Sequence, residues 1–177
     1  MRGVPALVLL HQQDGRAVRE LPVNTAVMFS SAKDEWATPQ DFFDRLNEEF
    51  QFDVDAAAAP ENAKCRVWYG GQIDALALES WATVPSSIFV NPPYSKCLAF
   101  IAKARAESLK CHTVVCLVPS RTDTRWWHEH VWDSATHQPR PGVEVRFVKG
   151  RLKFGGSSNS APFPSVVIVF RPPQEAK

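Results

Sequence analysis

The chain has 177 residues, enough for one domain with a buried core, and its 45% apolar and 22% charged content is that of an ordinary globular protein. A net charge of +1 excludes a chain drawn to nucleic acid by its overall field, so any such affinity has to come from a local patch. Cys65, Cys97, Cys111 and Cys116 form no C-x-x-C pair and no zinc-type spacing with histidine, so no metal site is expected and the thiols read as reduced and intracellular.

Residues 1–27 read as an N-terminal extension, residues 28–172 as a single domain and residues 173–177 as a tail. The apolar run Val4 to Leu10 is at the lower limit for a secretory core and no A-x-A-like site follows it promptly. It is also far short of the roughly 20 apolar residues that span a bilayer, so no membrane association is expected.

Thr38-Pro39 then opens an amphipathic helix to Phe50, with Thr38 as the expected N-cap, Pro39 at the first helical position and Asp41 in the first turn. Phe42, Phe43, Leu46 and Phe50 share one face at helical spacing. Phe52 to Asp55 reads as a short strand that ends at an acid, followed by Ala56-Ala-Ala-Ala59. Small residues beside a strand-end acid allow close approach of a ligand that offers hydroxyl or ammonium donors. Lys64 to Tyr69 reads as a second strand stopped by Gly70-Gly71, and Asp74 to Trp81 as a turn and helix.

In Ser86-Ser-Ile-Phe-Val-Asn-Pro-Pro-Tyr94, the apolar residues Ile88, Phe89 and Val90 suit a buried strand, and two prolines end the ladder at Asn91. A polar side chain, a rigid turn and an aromatic ring are thereby delivered to the C-terminal end of a strand, which is where open α/β sheets bind ligands. Leu98 to Leu109 reads as a helix with Leu98, Ile101, Ala102 and Leu109 near one face, and Thr113 to Val118 as an interior parallel strand. Arg121 to His128 opens a further helix, with Trp126 and Trp127 as core and rim. Val143 to Val148 and Ser165 to Phe170 read as an antiparallel hairpin whose connection carries Lys149, Arg151 and Lys153. Together the elements describe a mostly parallel α/β sheet with an antiparallel edge.

Asn91-Pro-Pro-Tyr94 resembles the catalytic tetrapeptide of S-adenosylmethionine (SAM)-dependent amino-methyltransferases, whose targets include adenine N6, cytosine N4 and glutamine side-chain nitrogen. Five further motifs accompany it in order: Trp36-x-Thr38-Pro39, Phe52-Asp-x-Asp55-Ala56, Asp74-x-Leu76, Leu117-Val-Pro-x-Arg121-Thr-Asp-Thr124 and Lys149-Gly-Arg-Leu-Lys-Phe154. In this set the chain resembles the phage and prophage DNA N6-adenine methyltransferases, the compact Dam-type family, over about residues 30–170. The resemblance implies a SAM-dependent methyltransferase-like, Rossmann-like sheet, SAM as methyl donor, double-stranded DNA as partner, and a monomer in the cytoplasm of a bacterial cell. It implies Asn91, Pro92, Pro93 and Tyr94 as catalytic residues. Trp36, Thr38, Pro39, Asp53, Asp55, Ala56 and Asp74 are the implied SAM contacts, and Arg121, Arg125, Lys149, Arg151 and Lys153 the implied DNA contacts. One departure stands out: the glycine-rich turn that usually follows the first strand is replaced by Ala56 to Pro60.

The tetrapeptide suits the chemistry. Adenine N6 is a poor nucleophile because its lone pair is delocalised, and Asn91 Oδ1 and the Pro92 carbonyl can accept its two hydrogens. Tyr94 can stack on a base extruded from the duplex. Methylation of RNA or of a protein glutamine, and a catalytically inactive DNA-binding module on the same fold, are the alternatives the residues leave open.

Overall fold

The computed structural model describes residues 36–156 and 159–173, so the expected extension and the last residues of the tail lie outside the described residues. The apolar runs become a six-stranded sheet. In chain order its strands are β1 (Val54–Asp55), β2 (Val67–Trp68), β3 (Ser87–Val90), β4 (Thr113–Pro119), β7 (Val143–Phe147) and β8 (Ser165–Phe170). A separate two-stranded ribbon joins β5 (Trp132–Asp133) to β6 (Gln138–Pro139). The order across the sheet is β2-β1-β3-β4-β8-β7. The first four are mutually parallel, while β8 runs antiparallel to β4 and to β7.

Both faces of the sheet are covered, which is why β4 and β8 show no polar alternation. On one face Ile88, Val90, Val114, Cys116, Val118, Val166, Ile168 and Phe170 pack with Trp81, Trp126, Trp127 and helix α2 (Cys97–Ser108). On the other, Phe89, Val115, Leu117, Val167 and Val169 meet Phe42, Phe43 and Leu46 of helix α1 (Gln40–Phe50). Of the expected stripe of α1, Phe42, Phe43 and Leu46 are buried, each stabilising the fold by about 1.5–3 kcal/mol, and Phe50 at the helix end is half-buried.

Four local expectations are corrected. Thr38 does not cap α1: Pro39 holds the cap position and its carbonyl accepts from Phe43 N–H at 3.0 Å, while Thr38 is buried beside Asn91. The core face of α2 is Cys97, Phe100, Ile101 and Ala104, with Leu98 37% and Leu109 61% exposed. The sheet selects the face on which small Cys97 and Ala104 allow close approach. Asp74 to Trp81 forms turns instead of a helix, because Asp74 Oδ1 accepts from Leu76 N–H at 3.0 Å and closes an Asx turn. Helical structure after Arg121 begins at Arg125 and widens into a π-helical turn over Trp127–Val131.

The parallel arrangement sets the position of every candidate residue. The C-terminal ends of β1, β3 and β4 face one edge of the sheet. Because β7 is antiparallel to β8, which is antiparallel to β4, the end of β7 reaches that edge too.

Candidate active site

Beyond the ends of β1, β2 and β3 lies a cavity of about 320 Å³, at the lower end of the usual range for small-ligand sites. Asp55 to Ala59, Asn62 and Lys64 line one side, and Tyr69 to Gly71 and Ile73 to Ala75 another. Trp36 to Thr38 and Phe89, Asn91, Pro93, Lys96 and Phe100 complete it.

Asn91 is oriented by its amide nitrogen. Nδ2 donates to the Trp36 carbonyl and, at 2.9 Å, to Thr38 Oγ1. A carbonyl can only accept, so the amide cannot be flipped without losing this bond. Oδ1 is thereby turned away from both; it is buried and has no hydrogen-bond partner among the described residues. A buried acceptor left in this state costs free energy unless a donor reaches it. The prolines that end β3 hold the turn, with Pro92 buried and Pro93 in the cavity wall.

Tyr94 follows on a short 3₁₀ turn, Tyr94–Lys96, that leads into α2. Its ring lies nearly parallel to that of Trp36, with 13° between the planes and 6.4 Å between centroids. Phe163 meets Tyr94 edge-on at 5.1 Å and Trp36 at 5.6 Å, and Phe154 meets Trp36 at 5.7 Å. The backbone tightens the same corner, since Gly155 N–H donates to the Ala37 carbonyl at 2.8 Å.

Asp55 supplies a buried carboxylate. Burial pushes it up to about 6, although the N–H groups of Lys64, at 3.0 Å, and Ala57, at 3.3 Å, pull the other way. A raised carboxylate in a cavity is a recognised mark of a functional site. Asp74 lines the same cavity and is exposed.

Gly70 answers for the missing glycine-rich turn. It has φ +150°, and a Cβ there would stand 1.8 Å from the Ala58 carbonyl oxygen. The glycine that permits close approach therefore stands at the end of β2, against the alanine loop that follows β1. Gly70→Ala is expected to displace Ala56 to Ala59 and lower the melting temperature, which differential scanning calorimetry measures.

Of the residues that the sequence marks as candidates, Trp36, Thr38, Asp55, Ala56, Asp74, Asn91 and Pro93 line this one cavity, and Tyr94 packs on Trp36. Pro39 lies just outside, at the start of α1. Asp53 is not among the lining residues: its Oδ2 accepts from Ser87 N–H at 2.9 Å, pinning the opposite ends of β1 and β3. Arg121, Arg125, Lys149, Arg151 and Lys153 are all exposed, in the segments after β4 and β7. Arg125 pairs with Glu129 at 3.1 Å, whereas the other four have no ion pair among the described residues. Lys96, Phe163 and Gly70 join the site without a sequence signal for that role. Gly70 reads only as a strand stop, and nothing local marks Phe163.

The model of the DNA N-6-adenine-methyltransferase (Dam) family matches residues 25–177. A DNA N-6-adenine-methyltransferase of Haemophilus phage HP1 (strain HP1c1) is 27% identical over 145 residues, covering 80% of this chain and 81% of that protein. A DNA N-6-adenine-methyltransferase of Escherichia phage T1 is 29% identical over 100 residues, 56% of this chain and 41% of that protein, so here the match spans less than half of the relative. The family match runs through the cavity, the Asn91 turn and the cationic segments alike, and the chain belongs to the DNA N-6-adenine-methyltransferase (Dam) family.

Proposed function

We propose that the chain transfers the methyl group of SAM to N6 of an adenine extruded from duplex DNA, on a SAM-dependent methyltransferase fold. The observation that carries this reading is the buried Asn91 Oδ1, held by Trp36 and Thr38 as an acceptor with no partner of its own among the described residues. The cavity beside it fits SAM in its chemistry: two acids, Asp55 and Asp74, for hydroxyl and ammonium donors, and a floor of alanines that lets a ligand approach the backbone. SAM when bound supplies an electrophilic methyl group. The protein's part is orientation. Asn91 Oδ1 and the Pro92 carbonyl accept the hydrogens of N6 and favour a nitrogen whose lone pair is free to attack. Tyr94 stacks on the base, which returns about 1–3 kcal/mol against the few kcal/mol that extrusion costs. Incubation with labelled SAM and unmethylated DNA, followed by nucleoside mass spectrometry, tests the reading. N6-methyladenine is expected; label in RNA or in protein glutamine alone would refute it.

The Asp55 carboxyl sets a pH dependence. Its folded pKa is raised, so its effect on stability is favourable below about 4, the ordinary range, and is lost as pH rises through about 6. At neutral pH the ionised group therefore costs roughly 3 kcal/mol, which a ligand donor can offset. SAM affinity is expected to fall towards tenfold per pH unit below about 6, and Asp55→Asn should bind weakly with a flat profile. Calorimetric titrations between pH 5 and 8 check both.

Lys149, Arg151 and Lys153 supply charge that has no ion pair among the described residues, at the edge where Asn91 emerges, and we assign them to phosphate binding. Replacing all three with alanine should weaken binding to every DNA sequence and flatten the salt dependence by roughly 0.9 for each phosphate no longer neutralised. Affinities measured over a salt series decide it.

A further inference from the structure

Along β7, Val143 and Val145 pack on the same core cluster as Val166 and Ile168. Phe147 continues this face by two residues and stands opposite Val166, yet it is 67% exposed, the most of any large apolar side chain among the described residues. Its strand is the last of the sheet, and its end lies at the edge that presents Asn91.

The charge around Phe147 changes along the chain. Arg146, on the opposite face of the strand, is neutralised by Glu49 at 2.5 Å and Glu144 at 2.6 Å, and lies over the Phe50 ring at 5.1 Å. After Phe147 come Lys149, Arg151 and Lys153 with no ion pair among the described residues, and this segment then reaches the cavity corner, where Phe154 meets Trp36. A bare aromatic ring among unneutralised cations fits a ligand that offers negative charge and flat apolar faces together. Nucleic acid is such a ligand, because phosphates meet the cations while bases stack on, or are wedged by, the ring. An acidic protein surface would match the charge and leave the ring without a partner.

We propose that Phe147 contacts bases of the substrate DNA, beside the target adenine; the proposal rests on the reading of the chain as a DNA methyltransferase. Strand spacing places β7 about 14 Å across the sheet from β3, the length of about four base steps. Phe147 thus reaches bases that flank the target, while Tyr94 serves the target itself.

The test measures affinity for an unmethylated DNA duplex at several salt concentrations by fluorescence anisotropy. Phe147→Ala is expected to weaken binding on the order of tenfold at every salt concentration. The slope against salt should be unchanged, because stacking releases no counterions. Phe147→Trp should restore the affinity, and all three chains should unfold at the same temperature and bind SAM equally, since the ring is outside the core and the cavity. An unaltered affinity in Phe147→Ala overturns the proposal. A reduced slope overturns it too, because the ring would then act by positioning the cations. So would self-association of the free chain that Phe147→Ala abolishes while DNA affinity stays the same, which makes the ring an interface between copies. A wild-type chain that binds and methylates no DNA overturns the functional reading as well, whereas failure of the Phe147→Ala prediction by itself leaves that reading standing.

Discussion

Asn91→Ala is expected to lower the rate of methyl transfer about a hundredfold or more, with the fold intact. The variant lacks the buried acceptor oxygen that we assign to the N6 hydrogens, and removal of one such preorganised group costs on the order of 3 kcal/mol of transition-state stabilisation. Single-turnover rates on one DNA substrate measure the effect, and a fully active Asn91→Ala would remove this turn from the catalytic site. Asn91→Asp separates two roles of the same amide. From the turn's chemistry alone it should keep partial activity with normal SAM affinity, because an acceptor oxygen remains and related adenine methyltransferases carry Asp-Pro-Pro-Tyr. The structure adds a cost. Nδ2 donates to the Trp36 carbonyl and to Thr38 Oγ1, and a carboxylate oxygen in its place would face that carbonyl without a hydrogen between them. Thr38 can turn its hydroxyl to donate, but the Trp36 carbonyl cannot. Asn91→Asp is therefore expected to keep part of its rate while binding SAM more weakly, because Trp36 lines the cavity.

Glu107→Ala is expected to destabilise the fold by about 3–5 kcal/mol, the usual consequence of removing one member of a buried charge network. Glu107 is fully buried on α2. It accepts from Ser80 Oγ at 2.8 Å and Trp81 N–H at 2.9 Å, and pairs with Lys103 at 3.0 Å and Lys110 at 3.2 Å. Burial pushes its carboxyl up, but the Trp81 N–H, Lys103, Ser80 and Lys110 outweigh burial and hold it below the ordinary range. Its stabilisation is thus present above the unfolded value near 4.5 and lost as pH falls through the lower folded value. Urea unfolding at pH 7 should show the loss in Glu107→Ala, and an acid titration should show it disappearing at low pH. An unchanged urea midpoint would mean that the network contributes nothing net. The network also ties α2 to the turns around Trp81, whose ring closes the core behind the cavity. Activity below the melting temperature should therefore change far less than stability.

The strands were legible because burial on both faces requires continuous apolar runs, and Thr113 to Val118 and Ser165 to Phe170 could be little else. Asn91-Pro-Pro-Tyr94 was legible because two prolines must end a strand wherever it is placed, so the chemistry of the turn belongs to the local sequence. Spacing also sufficed for the buried stripe of α1. Other assignments depended on partners distant in sequence. Thr38 has the side chain of an N-cap, and only the arrival of Asn91, 53 residues later, turns its hydroxyl into a support for the Asn91 amide. Nothing in the alanine-rich stretch of α2 marks Glu107, and only the fold surrounds it with Ser80, Trp81, Lys103 and Lys110. Asp53 and Asp55 are two residues apart in one motif, yet one accepts from Ser87 N–H and the other lines the cavity. Gly70 shows the same limit, since a glycine that ends a strand and a glycine that must admit the Ala58 carbonyl are identical in the sequence. Local chemistry determined the strands and the reactive turn. Packing across the sheet decided which acid, hydroxyl and glycine belong to the site, because those roles are set by neighbours that the chain brings together only when folded.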